Sequence, residues 1–189
     1  MKNTALLLID LQNDYFPGGR MELSGAEEAL INAEKLLNYA REKGVYVIFM
    51  QHFAVQPEAT FFLPDTPGAQ LHESLVPFEH EPVLKKNYPN SFRETGLEDY
   101  LQLNSISQLF ICGMMTHMCV DATVRAAFDK DYSCILAHDS CATRSLQFLN
   151  QTVDAKDVQT AFMAALSARY AQVLNTSECL EILDKQDRK

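Results

Sequence analysis

Apolar residues fall along this 189-residue chain in two alternating rhythms. Short runs with almost no polar break, at residues 5–9, 45–50, 108–112, 133–137 and 171–174, read as strands that are apolar on both faces. Between the first two, apolar side chains recur at 26, 29, 30, 33, 36, 37 and 40, the spacing of a helix over 26–43. Ser24-Gly25-Ala26-Glu27 predicts a capping box at its start, and Gly44 predicts its C-terminal stop. A second helix is predicted from near Cys119. Val158, Ala161, Phe162, Ala165, Leu166 and Arg169 mark a third, opened by Asp154, and Thr176 is expected to cap a terminal one.

Strand–helix alternation with doubly apolar strands predicts the α/β class. The expected architecture is a three-layer α-β-α, Rossmann-like arrangement, with a mostly parallel sheet of five or six strands and helices on both faces. Ligands in such sheets bind beyond the carboxyl ends of the strands. Asp10 and the turn from Gly113 to Cys119 both fall at such ends, so one crevice is expected to hold both. Residues 53–92 break the alternation, carry six of the seven prolines and show no strong periodicity. A loop of that length predicts a functional segment or a cover for the site. The chain reads as one domain, 1–183, followed by a charged tail, 184–189, expected to fray.

Composition narrows the classes of function. With 16 basic and 25 acidic residues the net charge is −9, which argues against nucleic acid and anionic membrane surfaces as partners. Five cysteines without a CxxC pair indicate neither a disulfide framework nor a zinc site. Reduced cysteines, a first segment without a cleavable signal pattern and no apolar run long enough to span a bilayer make the cytoplasm the expected location.

Three stretches carry polar groups that apolar strands and helices do not need. They are Asp10-Leu11-Gln12-Asn13-Asp14-Tyr15-Phe16, Lys85-Lys86-Asn87-Tyr88-Pro89-Asn90-Ser91-Phe92, and Gly113-Met114-Met115-Thr116-His117-Met118-Cys119-Val120. In the last, a strand runs into a glycine turn and a cysteine stands where a helix begins. Unpaired N–H groups and the positive end of the helix dipole there favour thiolate over thiol, so Cys119 is expected to label with iodoacetamide below the pH that ordinary thiols require. Cys112, Cys134 and Cys179 read as inert small hydrophobes, and Cys141 as one that approaches the crevice rim.

An Asp after the first strand, a Lys six residues before a Phe, and GxxTxxCV, in this order and over nearly the whole chain, resemble the isochorismatase-like family of cysteine hydrolases. That family includes nicotinamidases and carbamoyl-amide hydrolases. The resemblance implies a triad in which Cys119 attacks a carbonyl to form a thioester, Asp10 takes and returns the proton, and the Lys86 ammonium supports the thiolate. It also implies a cis peptide between Met114 and Met115, which directs the Met115 N–H, with that of Cys119, at the oxyanion; Thr116 is expected to stabilise the turn. Phe16 and Phe92 are candidate walls of the substrate pocket, with Gln12 and His52 as candidate polar neighbours. Relatives of the nicotinamidase type hold a divalent cation through an Asp and histidines after the second strand. Here His52 occupies the place of that Asp, the chain runs on as Phe53-Ala54 without the following histidine, and His72 and His80 are too isolated to complete a site, so neither metal nor cofactor is expected. The resemblance further implies a homodimer or homotetramer acting on a small-molecule substrate, and Phe61-Phe62-Leu63 is an apolar patch suited to an interface or a lid. Hydrolysis of an amide, imide or carbamoyl compound is the leading expectation. Vinyl-ether hydrolysis with Asp10 as acid, and a catalytically idle binding module, stand as alternatives.

Overall fold

A computed structural model describes residues 3–187. Its centre is a six-stranded sheet of β1 (Thr4–Ile9), β2 (Tyr46–His52), β3 (Val83–Lys86), β4 (Gln108–Met114), β5 (Ser133–Ala142) and β8 (Gln172–Leu174). The order is β3-β2-β1-β4-β5-β8, and every neighbouring pair is parallel. Two short antiparallel strands, β6 (Leu146–Phe148) and β7 (Gln151–Val153), form a separate hairpin whose tip residues Phe148 and Leu149 are exposed.

The period-2 alternation of side chains along a strand divides the core into two layers. Leu6, Leu8, Val47, Phe49, Phe110 and Cys112 face one side, where they meet α1 (Ala26–Glu42) and α5 (Thr176–Asp187). Ala5, Leu7, Ile9, Ile48, Met50, Leu109 and Ile111 face the other, against α2 (Leu97–Leu103), α3 (Asp121–Asp129) and α4 (Ala155–Ser167). Helices on both faces of a parallel sheet are the three-layer α/β arrangement that the pattern predicts. The expected strands are all present, and β3 completes the set of six.

Several local expectations are corrected. Ser24 is not a helix cap: Gly25 holds the N-cap position of α1 in a left-handed conformation, and the Ser24 N–H bonds the Thr143 carbonyl on β5. The terminal helix is capped by Asn175, not Thr176. The Asn175 side chain accepts the Glu178 N–H at 2.9 Å while the Glu178 carboxylate accepts the Asn175 N–H at 2.9 Å, a reciprocal capping box. The Thr176 hydroxyl instead donates to Asp139. Asp184 begins no frayed tail, because α5 runs through Asp187 and the Tyr39 hydroxyl bonds the Asp184 carboxylate; Arg188 and Lys189 lie outside the described residues. Strand β5 continues to Ala142, so Cys141 lies within it with its thiol against the Ala137 carbonyl. Residues 53–92 are not wholly irregular, since Pro82 leads into the edge strand β3.

Candidate active site

β1 and β4 lie side by side at the centre of the sheet, and the chain order reverses between them. That is the place where open α/β sheets form a crevice beyond their carboxyl ends. Asp10 follows β1 directly, in a left-handed conformation (φ 51°) that aspartate tolerates better than most residues. Lys86 is the last residue of β3 and pairs in register with His52 at the end of β2. Cys119 follows β4 in a single π-helical turn, Thr116–Val120, that leads into α3, so the α-helix proper starts two residues after it.

The close packing of β1 on β4 requires Gly113. Its φ is 128°, and a Cβ there would stand 2.0 Å from the Ile9 carbonyl oxygen. The Met114–Met115 peptide that follows is cis. The Thr116 hydroxyl ties the turn to β5 and α4 through Ala142 and Gln159. His117 is fastened to Thr143 at 2.6 Å. Thr123 on α3 bonds Ser91, which holds the segment beyond Lys86 against the helix that follows Cys119.

These elements bring Asp10, Lys86 and Cys119 together out of contact with bulk water: they are 0%, 1% and 4% exposed. The Lys86 ammonium donates to Asp10 Oδ2 at 2.7 Å and to His52 Nδ1 at 3.0 Å, with the carbonyls of Tyr88 and Pro89 at 3.2 and 3.4 Å. The Cys119 sulfur, an Asp10 oxygen and a His52 ring nitrogen lie within 4.8 Å of one another. Among the described residues, Asp10 Oδ1 is the one buried side-chain polar atom with no hydrogen-bond partner. A buried oxygen in that state costs free energy and is open to a hydrogen-bond donor.

The electrostatics correct one expectation. Burial raises the Cys119 pKa, and the Asp10 carboxylate raises it further; Lys86 pulls it down but does not prevail. The sulfur therefore rests as a thiol, and ready alkylation at low pH is not expected. Burial also lowers His52 to about 4, with Lys86 adding to the effect against Asp10, so the imidazole is neutral. Burial acts to lower the pKa of Lys86, but the charge and hydrogen-bond interactions with Asp10 and Cys119 together outweigh it, and the group is held cationic. Asp10, His52 and Cys119 are the His/Cys/Asp/Glu group in the described residues compact enough to hold a metal ion. The set does not fit that task well, because the Lys86 ammonium already bridges its carboxylate and imidazole.

Cys119 lines a cavity of about 230 Å³. Tyr15, His52, Phe61, Phe62, Met115 and Met118 contribute to its wall, and Gln56, Glu58 and Asn87 add further polar side chains. Of the four pocket candidates, only His52 lines it. Phe16 turns the other way, with its ring 4.5 Å from that of His72 and its side chain lining a different depression. Phe92 stacks on Tyr132 in the core beside α3. Gln12 is a brace: it accepts the His52 N–H at 2.7 Å and donates to the His52 and Ala69 carbonyls. Asp14 accepts the Phe62 N–H at 2.6 Å, which fixes the aromatic loop over the cavity. Phe61 and Phe62 are consequently wall, not a free patch.

The chain matches the model of the isochorismatase domain over residues 4–178. It is 48% identical to an uncharacterized isochorismatase family protein, YddQ, of Bacillus subtilis, over 94% of this chain and 99% of that one. It is 29% identical to an N-carbamoylsarcosine amidase of an Arthrobacter species, over 74% of this chain and 60% of that one. Among solved structures, an isochorismatase from Pseudomonas putida superposes with a TM-score of 0.87 at 35% identity, covering 94% of this chain and 90% of that one. Among the described residues no helix is long and apolar enough to cross a membrane. Fold, motif order and sequence likeness agree, and the chain belongs to the isochorismatase family of hydrolases.

Proposed function

We propose that this hydrolase cleaves the C–N bond of a small amide, imide or carbamoyl compound through a thioester on Cys119. The observation that carries the reading is the approach of one sulfur, one ammonium-paired carboxylate and its unpartnered oxygen in a dry site. A thiol at rest needs a base at the moment of attack, and Asp10 Oδ1 is the atom with nothing else to accept. The thiol proton passes to Asp10 as sulfur bonds to the carbonyl carbon. The N–H groups of Met115 and Cys119 are the candidate donors to the oxyanion. As the tetrahedral species collapses, Asp10 returns the proton to the leaving nitrogen. Water, activated by the same carboxylate, then adds to the thioester and frees the acid and the thiol. Lys86 holds Asp10 in place and favours the thiolate as it forms, the direction of its effect on Cys119.

The named amidase among the relatives supports the C–N preference. The test is turnover on a panel of small carboxamides, ureides and lactams by the wild type and Cys119→Ala. A loss of about 10³-fold or more with the fold intact is expected, the scale on which covalent catalysis contributes. Unchanged turnover in Cys119→Ala would refute the thioester and favour Asp10 acting alone as an acid on a vinyl ether.

A further inference from the structure

The cavity holds two hydrogen-bond donors that the hydrolytic cycle does not use. The first follows from the partner of His52. An ammonium has no lone pair, so where Lys86 Nζ meets His52 Nδ1 at 3.0 Å the nitrogen must accept. A neutral imidazole that accepts at Nδ1 carries its proton at Nε2. His52 lines the cavity, and no protein group bonds its second nitrogen among the described residues. The second donor is Tyr15. The residue is 1% exposed, its ring lies 4.5 Å from that of Phe62 and 6.0 Å from that of Phe61, and it too lines the cavity. Its hydroxyl has no hydrogen-bond partner among the described residues, yet it is not counted among the sealed polar atoms, so it borders the open space. A tyrosine hydroxyl left unmet inside an aromatic enclosure points to a ligand atom that meets it.

We propose that His52 Nε2–H and the Tyr15 hydroxyl together read a hydrogen-bond acceptor on the substrate's acyl portion, so that the substrate class is a small, flat acyl group bearing an acceptor such as a ring nitrogen or a second carbonyl. The inference rests on the thiol reading and adds the selectivity. The aromatic rings and Met115 and Met118 supply a flat, apolar slot, in which an acceptor without a partner is costly and a paired one is selected. Lys86 thereby serves twice: one hydrogen bond fixes the carboxylate, and another fixes the tautomer that faces the ligand. Gln12 carries the same logic outward, since its grip on the His52 backbone sets where the ring stands.

The test uses aldehydes, which add reversibly to a thiol. The C–S bond forms, the carbonyl π bond breaks, and the sulfur's proton moves to the oxygen, so nothing is oxidised or reduced. Dissociation constants for benzaldehyde and for pyridine-2-, 3- and 4-carboxaldehyde are measured by isothermal titration calorimetry on the wild type, Cys119→Ala, His52→Asn, His52→Gln and Tyr15→Phe. Asparagine keeps an acceptor where Nδ1 stood and removes the inner donor; glutamine restores an N–H where Nε2 stood. Dividing the wild-type preference for a pyridine isomer over benzaldehyde by that of a variant cancels intrinsic electrophilicity.

The expected result is that one isomer is preferred by about 10-fold more in the wild type than in His52→Asn, that His52→Gln retains most of this preference, and that Tyr15→Phe loses a several-fold part of it. A preference unchanged in His52→Asn, or lost equally in both His52 variants, overturns the role of His52. A preference unchanged in Tyr15→Phe overturns that of Tyr15. Binding that persists in Cys119→Ala, or no binding of any aldehyde, overturns instead the thiol reading beneath.

Discussion

The two ends of the sheet each hold an ion pair beside a cavity, and they are built to different rules. At the strand starts, Arg41 on α1 grips Glu81 with two bonds, at 2.8 and 2.7 Å, while Glu81 also accepts the Phe78 N–H. The Arg41 guanidinium lies 3.9 Å over the Phe78 ring, and a depression of about 380 Å³ opens beside them. Burial would raise the Glu81 pKa, but these bonds outweigh it and hold the group below its ordinary value. Both carboxylate oxygens are occupied. At the strand ends the pair Lys86–Asp10 is drier and less complete, with one oxygen left unpartnered and a thiol close by. The smaller cavity is the one lined by a cysteine. A satisfied pair in a larger space reads as a fastener, and an unsatisfied pair close to a thiol is the arrangement the proposed hydrolysis needs.

The largest effect is expected from splitting the inner pair. Lys86→Met leaves a buried carboxylate without its cation and should cost about 3–5 kcal/mol in urea unfolding, with loss of turnover. Asp10→Asn should do much the same from the other side. The double variant should recover to within about 1–2 kcal/mol of the wild type while remaining inactive, because an apolar–amide pair carries no stranded charge. A double variant as unstable as the sum of the singles would show that the pair is not a unit.

Glycines sharpen the contrast next. Gly113→Ala places a Cβ 2.0 Å from the Ile9 carbonyl oxygen at φ 128°, whereas Gly44, at φ 63° beyond the end of α1, has open space around it. We expect a loss of about 3 kcal/mol or more for Gly113→Ala, and about 1 kcal/mol for Gly44→Ala, from thermal or urea unfolding. Equal losses would mean that β1 and β4 are less tightly packed than the geometry states.

Arg41→Ala should cost about 2 kcal/mol, because it strands a carboxylate 2% exposed that still keeps the Phe78 N–H. It should leave turnover per folded molecule unchanged, which no substitution in the inner pair does.

Acid separates the two ends more gently. His52 is lowered from 6.5 to about 4, so the unfolded chain binds the proton first. Its contribution to stability is complete above 6.5 and is lost as pH falls toward 4. Glu81 is lowered from 4.5, so its contribution is complete above that value and is lost only as pH falls below it. The urea midpoint of the wild type should therefore decline between pH 6.5 and 4, a slope that His52→Gln flattens and Arg41→Ala does not.

The meeting of Asp10, Lys86 and Cys119 in space is legible in the sequence because strand ends and motif spacing fix their places, whatever the loops do. The pocket is not, for reasons visible in single residues. Tyr15 and Phe16 are adjacent in sequence, and the 3-10 turn Asn13–Tyr15 sends the first into the cavity and the second away from it. Phe61 and Phe62 reach the cavity through a hydrogen bond from Phe62 to Asp14, residues 48 positions apart, which no local pattern announces. The direction of the Cys119 pKa escapes the sequence for a related reason: a helix start is read from the pattern, but burial on all sides is not. The caps expected at Ser24 and Thr176 each miss by one residue, the usual margin for helix ends.

The central claim is that the Cys119 sulfur becomes covalently acylated during turnover. Its most direct test is intact-protein and peptide mass spectrometry of acid-quenched reactions with whichever amide the wild type hydrolyses. The account predicts a mass increase on the peptide holding Cys119 equal to the substrate's acyl group, present during the steady state, discharged once substrate is exhausted and absent in Cys119→Ala. Steady turnover with no adduct on that peptide, undiminished in Cys119→Ala, would contradict it.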